Sequence, residues 1–234
     1  SYLTQSLWSE NLMVHMAVFD DTLKQGHIPR WTMYWKSPKL ASHWTFPHFE
    51  GDFVRMVTFT NCESVELFVN DESMGEKSLS DFPDHMMTWY VPYVPGTIRA
   101  VGKNGGIIAC SHEMATAGEP YGLSLRADRT VLAKDGNDIH VEVTSTDKKG
   151  LVVPDAENEI TFDLRGEGAI LGIDNGDLTS DESYKGNRRR AHAGRCLVIV
   201  RANGNPGSIQ LTASAEGLKP GVVTMVTEGD VDKK

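Results

Sequence analysis

The sequence predicts an all-β protein: two consecutive immunoglobulin-like antiparallel β-sandwiches preceded by a short helical and irregular leader. Three observations carry this reading. Short runs of β-branched, aromatic and other apolar residues recur roughly every 8–12 residues, the spacing of sandwich strands. Each run is bounded by Gly, Asn or Pro. No helical period of any length separates them. With 234 residues and about 150 residues per domain, the chain has room for one large domain or two small ones.

The leader comes first. Leu3, Leu7 and Trp8 are spaced i, i+4, i+5, which suits the end of an amphipathic helix. Residues 13–50 read as irregular and aromatic, with Trp31, Trp35 and Trp44 among Pro29, Pro38 and Pro47. From Phe53 the texture turns to strands. Residues 53–60 form the first, and Val65–Val69 forms the next, ending at the turn Asn70-Asp71-Glu72. Met87–Val91 is closed by Pro92 and by Pro95-Gly96. Thr97–Gly102 and Ile107–Ser111 flank Lys103-Asn-Gly-Gly106, a hairpin signal.

The pattern restarts around Gly118-Glu119-Pro120. Strands are expected at 123–127, 131–133, 139–145, 160–164, 169–172, 197–201, 209–215 and 222–226. The cleanest alternation puts Ile139, Val141 and Val143 on one face and His140, Glu142 and Thr144 on the other. The expected organisation is a leader over 1–48, a first sandwich over 49–117, a second over 118–228 and a frayed tail over 229–234.

Composition removes several classes. Charged residues are 24 % and apolar residues 40 %, so the chain is neither disordered nor fibrous. No run of about 18 apolar residues occurs, so no membrane-spanning helix is expected. Net charge is −9, and both halves are acidic. Nucleic acid and anionic membrane are therefore not expected partners. Cys62, Cys110 and Cys196 are odd in number and widely spaced, so no disulfide framework is expected and no zinc spacing appears. Cys62 and Cys196 read as small buried hydrophobes. The chain opens with Ser1 and not Met, which reads as a processed product or an excised piece.

Few residues point to chemistry. No GxSxG, P-loop, HExxH or dinucleotide fingerprint is present, so no catalytic residue, cofactor or metal is assigned. His140 reads as a solvated sheet histidine. Arg188-Arg189-Arg190, following the turn Lys185-Gly186-Asn187, reads as a surface loop rather than an anion site. Asp174-Asn175-Gly176-Asp177 clusters oxygen ligands but lacks the spacing of a calcium loop. Trp31, Trp35 and Trp44 are the candidate carbohydrate-contact residues, because a flat apolar ring matches the C–H face of a pyranose. The reading favoured for each of them is that it seals an irregular segment against a neighbouring domain, from the large apolar area such a ring buries.

Several stretches together resemble the C-terminal part of glycoside hydrolase family 2, in particular β-galactosidase-like enzymes of the Bacteroidetes type. They are Tyr2-Leu-Thr-Gln-Ser-Leu-Trp8, Met13-Val-His15, Ser42-His-Trp-Thr-Phe46 and Thr58-Phe-Thr-Asn-Cys-Glu-Ser-Val-Glu-Leu-Phe-Val-Asn70 with Met74-Gly-Glu-Lys77. Trp89-Tyr-Val-Pro-Tyr-Val-Pro-Gly-Thr97 and Ala100-Val-Gly102 follow. In the second module the carriers are Thr116-Ala-Gly118, Leu125-Arg-Ala-Asp-Arg129, Gly172-Ile-Asp-Asn-Gly176, Lys185-Gly-Asn-Arg-Arg189 and Gly217-Leu218.

The resemblance implies that residues 1–8 are the tail of a catalytic barrel's last helix, and that the second sandwich is similar to invasin-type modules. It also implies a parent that is a retaining exo-glycosidase, using two glutamates on a barrel upstream. No position here matches either glutamate, so this piece alone is expected to be inactive. The implied partner is that barrel, and the implied location is periplasmic or extracellular. The implied function is a non-catalytic accessory region. The alternative is a carbohydrate-binding or adhesion module, with an oligo- or polysaccharide as partner. Two departures stand out: the family's Asn-Gly-Lys turn is Asn70-Asp71-Glu72 here, and residues 17–39 resemble an insertion.

Overall fold

The computed structural model describes residues 1–19, 39–132 and 138–227, with Leu132 described by its backbone alone. Trp31 and Trp35 lie outside these residues. The chain divides between Thr116 and Ala117 into two compact units.

The first unit opens with helix α1 (Tyr2–Trp8), capped by the Ser1 hydroxyl, which accepts from the Thr4 N–H. Two sheets follow. One has the order β2-β1-β3-β6, from β1 (Val14–Phe19), β2 (Leu40–Ala41), β3 (Phe53–Thr60) and β6 (Met87–Pro92). The other has the order β5-β4-β7-β8, from β4 (Ser64–Val69), β5 (Glu72–Ser78), β7 (Thr97–Asn104) and β8 (Ile107–Ala115). All pairings in both sheets are antiparallel. Met16, Met56 and Trp89 from the first sheet pack with Leu67, Ile98 and Met114 from the second in one core, so the unit is a sandwich.

The second unit repeats the architecture. One sheet runs β13-β15-β11-β9, from β9 (Gly122–Ala127), β11 (Ile139–Thr146), β13 (Gly168–Asp174) and β15 (Arg195–Ala202). The other runs β10-β17-β16-β12-β14, from β10 (Val131–Leu132), β12 (Glu159–Gly166), β14 (Arg188–Arg190), β16 (Gly207–Ser214) and β17 (Gly221–Thr227). The pairing of β10 with β17 is parallel and the others are antiparallel. Ile139, Val141 and Val143 are fully buried, as their alternation predicts, against Phe162, Leu211 and Met225 of the facing sheet.

The structure departs from the sequence reading at particular elements. Residues 14–19 are a strand of the first sandwich, not part of the leader. Five of the six are buried, because Leu3 of α1 packs with Ala17, Val57 and Phe59 on the outer side of the sheet. A strand covered on both sides shows no alternation. Residues 72–78 form β5, a polar strand at the sheet edge, hydrogen-bonded only to β4. The turn joining β4 to β5 explains the missing glycine there. Asn70 and Asp71 both take positive φ, 48° and 65°, as a two-residue hairpin turn requires, and Asn and Asp tolerate that region. Arg188–Arg190 is strand β14 rather than a surface loop, and its central side chain is fully buried.

Candidate functional site

The one expected sugar-contact residue that the structure describes is not exposed. Trp44 is fully buried. Its ring meets Tyr93 edge-on at 5.0 Å, and its indole N–H donates to the Val94 carbonyl at 3.1 Å. Thr116 Oγ1 donates to the Trp44 carbonyl at 2.7 Å, and the Phe46 N–H donates to the Tyr93 hydroxyl. The residue thus seals the end of the first core, and its ring has no free face for a sugar.

The accessible aromatic surface lies elsewhere, on the outer face of the sheet β2-β1-β3-β6. Phe53 on β3 and Tyr90 on β6 are 69 % and 67 % exposed. In the ladder Arg55 faces Tyr90 and Phe53 faces Pro92, so Phe53, Arg55, Tyr90 and Pro92 share one face. The Arg55 guanidinium lies 4.0 Å from the centre of the Phe19 ring. Helix α1 covers the other part of this face. It buries Ser6 and packs Leu3, yet Tyr2, Leu7 and Trp8 remain exposed, Trp8 by 81 %.

Three side chains anchor that helix and the segment after it. Tyr2 stacks on His15 with ring centres 3.4 Å apart and planes 14° apart. His112 follows at 4.4 Å, and its Nδ1 accepts the Met16 N–H at 3.2 Å, which requires an unprotonated Nδ1. Burial and the neighbouring His112 push the His15 pKa down to about 4; burial also lowers that of His112. Asn61 fastens the link between α1 and β1. Its Oδ1 accepts the Met13 N–H at 2.7 Å, and its Nδ2 donates to the Ser9 and Asn11 carbonyls. These contacts give a physical reason for the Thr58–Cys62 stretch that spacing alone does not supply.

In the second unit Arg189 organises a loop. Its Nη1 donates to the Glu182 carbonyl at 2.8 Å and its Nη2 to Asn175 Oδ1 at 2.9 Å. Asp174 and Glu182 carboxylates lie at 3.6 and 3.7 Å, and the guanidinium stands over the Tyr184 ring at 5.2 Å. A buried charge is tolerated only when paired and hydrogen-bonded; these partners satisfy both Nη atoms, while the buried Nε has no hydrogen-bond partner. A pocket of about 230 Å³ adjoins the loop, with Glu157, Asp177, Asp181 and His192 in its lining. The Asp174 and Asp177 carboxylates are engaged by the loop's own N–H groups. Among the described residues no group of three or more His, Cys, Asp and Glu side chains is arranged to hold a metal ion. His140 is exposed, with Asp128 at 3.5 Å.

Residues 123–224 match a family model described as glycoside hydrolase family 2 C-terminal domain 5, and residues 51–109 match a domain of unknown function. A β-galactosidase of Bacteroides ovatus is 33 % identical over 228 residues, covering 97 % of this chain and 24 % of that protein. The chain belongs to glycoside hydrolase family 2. It corresponds to the non-catalytic C-terminal accessory sandwiches of that family. A solved glycosyl hydrolase family 2 member from Bacteroides cellulosilyticus superimposes with a TM-score of 0.90 at 31 % identity, over 97 % of this chain and 30 % of that one. A putative β-glucuronidase of Formosa agariphila is 26 % identical over 92 % of this chain and 19 % of its own length. The chain thus spans about a quarter of the length of the curated relatives it matches.

Proposed function

We propose that the chain serves a retaining, β-galactosidase-like catalytic barrel as its accessory region, docking through helix α1 and the adjoining outer sheet face of the first sandwich. The observation that carries this reading is the exposure of Tyr2, Leu7 and Trp8 on one seven-residue helix. Large apolar side chains clustered on a short surface element mark a surface that another domain covers. The Bacteroides ovatus relative is named a β-galactosidase, which favours β-galactosides as the parent's substrates. Docked there, the sandwich stabilises the barrel and its loops supply a wall to the barrel's mouth. In the barrel-bearing protein, deleting residues 1–234 then lowers the melting temperature or changes the kcat/KM ratio between β-galactosides and β-glucuronides. Unchanged melting together with unchanged kinetics overturns the reading.

A second reading, a carbohydrate-binding surface, is favoured by the shared face of Phe53 and Tyr90, since adjacent exposed rings on a flat sheet stack on sugars. Trp31 and Trp35 are the remaining candidates for it. Titration with galactosides and with plant or mucin polysaccharides, followed by tryptophan fluorescence, separates the two readings. A response lost in Tyr90→Ala, Trp31→Ala or Trp35→Ala supports sugar binding, and no response to any glycan removes it.

A further inference from the structure

Cys62 stands in the turn after β3, and Cys110 lies on β8. Their Sγ atoms are 3.5 Å apart, and both residues are free thiols. The residue that lets them meet is Gly102 of β7, paired with Cys110 in the ladder. A Cβ at Gly102 would stand 2.8 Å from Cys62 Sγ and 2.9 Å from Cys110 Sγ, so any other residue there would push the sulfurs aside. Cys62 is fully buried, and Cys110 is partly buried against the first core. Cys110 is therefore the less buried of the two and the one that a reagent from solvent reaches first.

We propose that Cys62 and Cys110 are a cross-linking site, closing a disulfide when the protein meets a low-molecular-weight disulfide such as oxidised glutathione. The Cys110 thiolate attacks the reagent, forming a mixed disulfide and releasing one glutathione thiolate. The Cys62 thiolate then attacks Cys110 Sγ, the second glutathione thiolate leaves, and the protein S–S bond forms. Two protein thiols are oxidised and one reagent disulfide is reduced to two thiols. Closure shortens the sulfur separation from 3.5 Å to about 2.05 Å. The bond would tie the turn between β3 and β4 to strand β8. Cys196 is engaged elsewhere: it is buried, and its Sγ donates to the Arg190 carbonyl.

The test is a thiol count on the folded 234-residue chain after incubation with oxidised glutathione, at about pH 8.5 to supply thiolate. Burial pushes the Cys110 thiol up to about 12, so exchange is slow and the incubation long. Denatured and titrated with a chromogenic disulfide, the protein is expected to show one free thiol instead of three. Trypsin releases Cys62 on residues 56–77, Cys110 on residues 104–126 and Cys196 on residues 196–201. A reducible link between the first two peptides, with residues 196–201 unmodified, supports the proposal. Three remaining thiols, a glutathione adduct without the link, or a link involving Cys196 overturns it. The wild-type chain suffices, so no variant has to fold.

Discussion

At His15 the surrounding rings set a pH dependence. The imidazole is buried, stacked on Tyr2 and close to His112, and its pKa falls from 6.5 to about 4. The unfolded chain protonates this group near its ordinary value, and the folded chain only near 4. Between those values the unfolded state binds more protons, so stability rises with pH across that window. The contribution is complete above about pH 6.5 and absent below about pH 4, and it amounts to on the order of 2 kcal/mol. Burial shifts His112 in the same direction, and its protonation on Nδ1 would also cost the bond from Met16. Urea unfolding of the first unit at pH 7 and pH 4.5 measures the loss, and His15→Gln should flatten it. Equal pH dependence in wild type and variant would show that the loss does not come from this ring. None of this was legible in the sequence, because residues 2, 15 and 112 meet only after α1 has folded back onto the sheet. Trp44, whose type also suits a sugar ring, is held in the core by its hydrogen bonds with Val94 and Thr116, as the sealing reading of the sequence expects.

The element that depends most on one side chain is the loop before β14. Arg189 has two acceptors at hydrogen-bond distance, two carboxylates at longer range and Tyr184 beneath it. Arg189→Ala leaves the Glu182 carbonyl and Asn175 Oδ1 without those donors and empties the space of a fully buried side chain, at a cost of about 3 kcal/mol. Arg189→Lys should recover little, since an ammonium cannot span both acceptors as a planar guanidinium does. Hydrogen exchange is the measurement: amides of residues 174–190 should lose protection in Arg189→Ala while β3 and β4 keep theirs. Unchanged protection in 174–190 would mean that the loop is held by its own Asx turns. Strands that alternate apolar and polar residues, such as β4 and β11, were legible because one face is buried and the other wet. Strand β1 was not, being covered on both sides. Strand β14 was not either, because three consecutive arginines look solvated until the partners that neutralise the middle one are assembled by the fold. The Asn70-Asp71 turn was visible as a turn, but its conformation at positive φ became apparent only from the backbone.

At the scale of the molecule, the two cores decide how the chain unfolds. Among the described residues each of the four sheets is built from strands of a single unit. The buried apolar clusters likewise stay within a unit, two from residues 14–114 and one from residues 123–225. Each unit exceeds 110 residues, a size at which a domain buries roughly two-thirds of its unfolded surface and can hold its own core. Among the described residues, the buried apolar clusters of each unit are thus formed by that unit's own elements. Residues 1–116 and 117–234 made as separate chains should each fold, with dispersed amide spectra and a cooperative melt. In the intact chain Arg189→Ala should shift one melting transition and His15→Gln the other, because sites with separate cores act additively. A half that is collapsed or insoluble when made alone, or a single transition moved by both variants, would show that the units form one cooperative structure. Their repeated architecture would then be a division of topology without a division of stability.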